Sequence, residues 1–233
     1  MGNGINFTKQ QDKPSFTDDH VLVRTEYDQR FGDITVYKNK STDSLVLAKE
    51  KVFENEDEFQ LYLKNSKLRL VIKGDNICPI VNFDEKTIND WCTSFYKVDL
   101  AYEFSDLSLD KLLREIKASN PKKQVWFNQD EAIIFLENFV NILKVFGTYG
   151  YIHGDIQPCS TFVCENKYNK EKSLKVVDMY LLNDFETGYQ RCLSDPDYHT
   201  PLSPSALASL SLRDVIGDYN KPKNDVFAAG ITL

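Results

Sequence analysis

No apolar stretch in the chain approaches the ~18 residues that a membrane-spanning helix needs. The start, MGNGINFTKQ, lacks the apolar core of a secretory signal. With neither feature present, the cytoplasm is the default expectation. Basic residues are in deficit, 28 against 35 acidic ones, for a net charge of −7. That balance favours solubility and does not favour general nucleic-acid binding. The five cysteines are odd in number, and no His or second Cys pair turns Cys159 and Cys164 into a four-ligand zinc set. With Cys78, Cys92 and Cys192 they read as reduced, structural thiols. What is present suits a folded domain: 233 residues, 42% apolar and 27% charged.

Residues 1–17 are polar, carry Gly2, Gly4 and Pro14, and read as a disordered tail. Gly2, exposed after removal of the initiator Met, raises N-terminal myristoylation as a second reading. Asn6, however, stands where that pattern wants Ser or Thr. Short β-rich runs follow at Val21–Tyr27, Ile34–Tyr37 and Leu45–Lys49, separated by turn residues. Glu54 to Leu63 has an acidic first turn and predicts a helix of about three turns. Leu70–Ile72, Pro79–Phe83 and Phe95–Phe104 predict further strands. The second half turns helical. Ser108 or Asp110 caps a short helix that Asn120-Pro121 stops. Asp130 to Phe146 carries a broad apolar stripe ended by Gly147 and Gly150. Trp126 would staple its start. Thr161–Cys164 and Leu174–Val177 read as two small strands around a solvated loop, and Asp184 to Ala208 as an irregular segment.

The densest polar cluster is Tyr151-Ile152-His153-Gly154-Asp155-Ile156-Gln157-Pro158, between the long helix and the strand pair. Asp178 follows the second small strand. A hairpin between them would bring both carboxylates to one cleft edge. There they could orient a hydroxyl and hold a magnesium ion on nucleotide phosphates. Alternatively, both only cap turns.

In order and motif, the chain resembles the eukaryotic protein kinase family from about residue 21 to its last residue. Val46-Leu47-Ala48-Lys49 resembles the lysine strand, and Tyr102-Glu103-Phe104 the gatekeeper and hinge. His153-Gly154-Asp155-Ile156-Gln157-Pro158 resembles the catalytic loop, and Asp178-Met179-Tyr180 stands where Asp-Phe-Gly belongs. Ser203-Pro204-Ser205 resembles Ala-Pro-Glu, and Asp225 to Gly230 the start of the central helix. The resemblance implies an α+β, bilobal kinase-like fold. Residues 18–104 would form a small antiparallel β-lobe with one helix, and 105–233 a mainly helical second lobe cut short in its central helix. It further implies that Lys49 pairs with ATP phosphates, that Tyr102 and Glu103 border the adenine, and that Asp155 orients the substrate hydroxyl. Asp178 and Ser160 would hold Mg2+.

The departures from that pattern are as informative. Of the glycine loop only Gly32 remains, and Asp28 and Asp33 would repel phosphate if they faced it. The helix glutamate that should meet Lys49 is absent from its offset, near Asn65; Glu58 is the nearest acid, some two turns early. Gln157 replaces a lysine, a loss of roughly 3–4 kcal/mol to a transition-state clamp. Ser160 replaces the magnesium-binding Asn, and Tyr180 the glycine after Asp178. Gly154 replaces the Arg that docks a phosphorylated segment, so Thr187, Tyr189, Ser194, Tyr198 and Thr200 lack that receiver.

Val226, Phe227, Ala228, Ile231 and Leu233 must find cover on the catalytic-loop side or on a partner, and a fragment of a longer product is one expectation. The expected function is regulatory or protein-binding, with an ATP and Mg2+ site and weak or absent phosphotransfer. An active serine/threonine kinase acting on a protein substrate is the alternative. His153-Gly154-Asp155 also resembles small-molecule phosphotransferases, and a purely structural role stays open.

Overall fold

The computed structural model describes residues 18–28, 31–89, 94–122, 127–165, 170–178, 202–211 and 221–233. The expectations placed on the tail 1–17 and Gly2, on Cys92, Trp126, Met179, Tyr180 and Cys192, and on the five hydroxyl residues from Thr187 to Thr200 lie outside these residues.

The fold is α+β. Strands β1 (His20–Asp28), β2 (Gly32–Asn39), β3 (Leu45–Phe53), β4 (Ile80–Asn89) and β5 (Ser94–Phe104) make one antiparallel sheet. Its order is β1-β2-β3-β5-β4. At the β2–β3 turn the Asn39 side chain accepts the Ser41 and Thr42 N–H groups at 2.9 and 3.0 Å. β4 runs past the expected end at Phe83. Its extension carries alternating charges that pair in the open, such as Lys86 with Asp84 at 2.7 Å and Lys67 with Glu85 at 2.9 Å.

Between β3 and β4 lies α1 (Glu56–Val71), with Asn55 as cap and Glu56, Asp57 and Glu58 in its first turn. It is longer than predicted, and Leu70 belongs to it rather than to a strand. The reason is its buried face, Phe59, Leu63, Ser66 and Arg69, which keeps helical spacing to the last turn.

The second half begins with α2 (Leu109–Ser119), capped by Ser108, and α3 (Gln129–Thr148), opened by a capping box between Asn128 and Glu131. Gly150, at φ +63°, turns the chain after α3. A one-turn 3-10 segment (Pro158–Ser160) leads into the ribbon of β6 (Thr161–Glu165) and β7 (Lys172–Val176). Helices α4 (Pro204–Ser211) and α5 (Lys221–Thr232) follow. No described helix is long and apolar enough to cross a membrane.

Two apolar clusters form the core. One lies under the sheet and takes in Phe162 and Val177 from the ribbon; the other gathers α3, β6, β7 and α5. They meet where the Cys78 N–H donates to the Val176 carbonyl at 2.9 Å. Helix α5 is covered only in part on the loop side: Asn224, Asp225, Ala228, Ala229 and Thr232 are buried, but of the five apolar residues expected to need cover Val226, Ile231 and Leu233 stay exposed.

Candidate functional site

The loop 153–160 is held from three sides. The Asp225 carboxylate accepts the His153 and Gly154 N–H groups at 2.8 and 2.9 Å. Gly154 sits at φ +79°, a conformation that suits glycine. The His153 ring is buried, lies against Phe146 at 5.7 Å, and places Nε2 3.1 Å from the Val177 carbonyl. Its other nitrogen, Nδ1, accepts the Asp155 N–H at 3.2 Å. His153 is thus a structural pivot of the loop. Burial pushes the Asp225 carboxyl above its ordinary range, and His153 and the two N–H donors offset only part of that.

Asp155, half-buried, accepts a 2.5 Å hydrogen bond from the Gln157 amide. The Gln157 side chain therefore turns back on the loop. Ser160 is fully buried, and its hydroxyl donates to the Asp155 carbonyl at 2.6 Å and accepts the Gln157 N–H at 3.1 Å. That oxygen closes the loop and does not face a cleft.

Asp178 follows β7 and is 1% exposed. Its Oδ2 is held by the Arg69 Nε of α1, and Arg69 is itself 1% exposed. The same guanidinium donates to the Cys78 and Ile72 carbonyls at 2.7 and 3.2 Å. Burial, the largest influence, opposes the Arg69 charge, but the Asp178 carboxylate together with Tyr102 and Tyr151 outweighs it, so the guanidinium pKa lies above its ordinary value. On the other oxygen, the Tyr151 hydroxyl donates at 3.3 Å, and His153 Nε2 stands 3.7 Å away. Burial pushes the Tyr151 phenol up as well.

Lys49, on β3, donates from Nζ to the Phe31 carbonyl. Glu58, the acid weighed as its partner, is exposed in the first turn of α1. Phe31 is fully buried; its ring meets Phe104 at 6.3 Å and Phe162 at 6.2 Å. Tyr102 is buried in the same cluster, and its hydroxyl has no hydrogen-bond partner among the described residues. Burial drives that phenol well above its ordinary pKa. Glu103 points elsewhere: both its oxygens accept from Lys175, at 2.8 and 2.9 Å, beside a hollow of about 440 Å³ also lined by Lys73, Asp75 and Pro79.

No protein-family model matches the chain, and no curated protein does either.

The structure thus gathers Asp155, Ser160 and Asp178 around His153, and turns Lys49 and Tyr102 into the neighbouring aromatic cluster. Glu103 lies apart. As arranged, the donors do not fit a magnesium ion: Asp178 is bound by a cation of the chain itself, and the Ser160 hydroxyl is turned inward. Among the described residues no cluster of three His, Cys, Asp or Glu side chains could hold a metal. Sequence reasoning missed Arg69 and Phe31. Arg69 had a signal, because it continues the spacing of Phe59, Leu63 and Ser66 on a buried face.

Proposed function

We propose that this chain is a bilobal, protein-kinase-like domain that works by binding protein and regulating it, without transferring phosphate. The strand order, the helix between β3 and β4, and the ribbon between Asp155 and Asp178 support the kinase-like reading. So does the clasp of Asp225 on the loop N–H groups. The observation that carries the loss of phosphotransfer is the buried Arg69–Asp178 pair. A divalent ion brought to Asp178 would meet a fixed positive charge in a medium of low dielectric, where like charges repel strongly. Phe31 in the aromatic cluster and Gln157 on Asp155 act in the same direction. An active kinase retains Lys49, Asp155 and Asp178 in its favour, but requires Arg69 to leave Asp178.

The test is calorimetric titration with ATP, with and without Mg2+, alongside phosphate transfer to a generic protein acceptor. The expected result is no magnesium-dependent binding and no transfer. Transfer that disappears in Asp155→Asn refutes the reading.

A further inference from the structure

Strand β1 ends the sheet order, and among the described residues its only partner strand is β2. An edge strand presents unpaired N–H and C=O groups along its outer side. This one also carries apolar side chains in the open: Val21, Leu22, Val23 and Tyr27 are 46–68% exposed. The register with β2 skips Val23, between Leu22 opposite Tyr37 and Arg24 opposite Val36. That bulge leaves Arg24–Asp28 as the regular stretch of the strand. Within it side chains alternate. Arg24 and Glu26 share one face, where the Arg24 Nε donates to the Glu26 carboxylate at 2.7 Å, and Thr25 and Tyr27 share the other. Arg24 is further fixed by Asp106 at 2.5 Å and lies 6.0 Å over the Phe104 ring. The Arg24 and Glu26 side chains remain 31% and 41% exposed, so both can take a second partner.

We propose that β1 is a self-association surface, and that its occupant is β1 of a second copy of this chain, antiparallel, with the two-fold axis at Thr25. The argument is charge complementarity. Residues directly opposite each other share a face, so the axis must fall on a residue. With the axis at Thr25, Arg24 stands opposite Glu26 of the second copy, twice by symmetry. On the other face Val23 stands opposite Tyr27, a β-branched side chain against an aromatic one. Moving the axis one residue either way sets Arg24 against Arg24 or Glu26 against Glu26, and like charges directly opposite are destabilising. The two five-stranded sheets then become one. A pairing of about five residues per copy buries less than the ~800 Å² per partner of a standard interface, so the dimer is weak and depends on concentration. No residue of the loop 153–160 takes part, so the surface does not rest on the function proposed above.

The test is sedimentation velocity of the full chain from about 1 to about 100 µM in low salt, with passage from monomer to dimer as the expected result. Arg24→Glu and Glu26→Arg are each expected to weaken the dimer about tenfold or more, because each sets like charges against one another. An equimolar mixture of the two variants puts opposite charges back across the axis and is expected to recover the dimer. Tyr27→Lys leaves both charges in place and should also weaken association; it carries the comparison if a charge variant does not fold. A full chain that stays monomeric throughout, whatever else takes the edge, overturns the proposal. So does a dimer indifferent to all three variants, or a mixture that associates no better than its components.

Discussion

Replacing Arg69 by Met tests the central pair most directly, because Met keeps the apolar stem and removes only the guanidinium. Asp178 would then be a carboxylate 1% exposed with no cation beside it, and the Cys78 carbonyl would lose its 2.7 Å donor. Removing one member of a buried ion pair costs about 3–5 kcal/mol, most of it from the charge left behind. For a chain of 150–250 residues each kcal/mol shifts the unfolding midpoint by roughly 2–4 °C, which gives a fall of about 6–20 °C. Thermal and urea unfolding read this directly.

Adding Asp178→Asn removes the stranded charge and should recover about 2–3 kcal/mol relative to the sum of the single changes. A loss under about 1 kcal/mol for Arg69→Met, or simple additivity in the double variant, refutes the reasoning.

Burial holds the Asp225 carboxyl above its ordinary range, so its ionisation opposes folding. The stability of the unaltered chain relative to Asp225→Asn should accordingly fall as pH rises through the carboxylate range; a flat difference across pH 3–7 in urea unfolding would contradict this. Tyr102→Phe removes a buried hydroxyl that has no partner, and should leave stability unchanged or raise it by up to about 1 kcal/mol. A loss beyond 1 kcal/mol by the same measurement would mean that the hydroxyl is satisfied. Asn128→Ala takes away the side chain that accepts the Glu131 N–H at 2.8 Å, and should lower stability by about 1 kcal/mol, with Asn128→Asp restoring most of it.

The elements were readable because their signals are local. Ser108 caps its helix through its own backbone neighbours, as Asn55 and Asn128, not singled out from the sequence, do for theirs; Gly150 turns the chain at positive φ, and β1 to β3 are separated by turn residues. The end of α1 was misread because Leu70 and Ile72 look like strand residues when the buried role of Arg69 is not known. The residues around Asp155 were found from their order, and the departures at Gln157 and Ser160 were visible as identities. What those side chains do instead was not visible. Gln157 folds back on Asp155, and Ser160 closes the loop from inside.

By itself the sequence determined the helix caps, the turns, the order of the strands along the chain and the candidates for the cleft, all set by residues a few positions apart. Only the tertiary structure decided which partners those side chains meet. Arg69 and Asp178 are 109 positions apart, and Lys49 on β3 is 18 positions from Phe31 in the turn before β2. Whether a carboxylate is open to a ligand or spent on a guanidinium depends on which distant side chain is buried beside it, and burial is a property of the packed chain rather than of any short stretch of it.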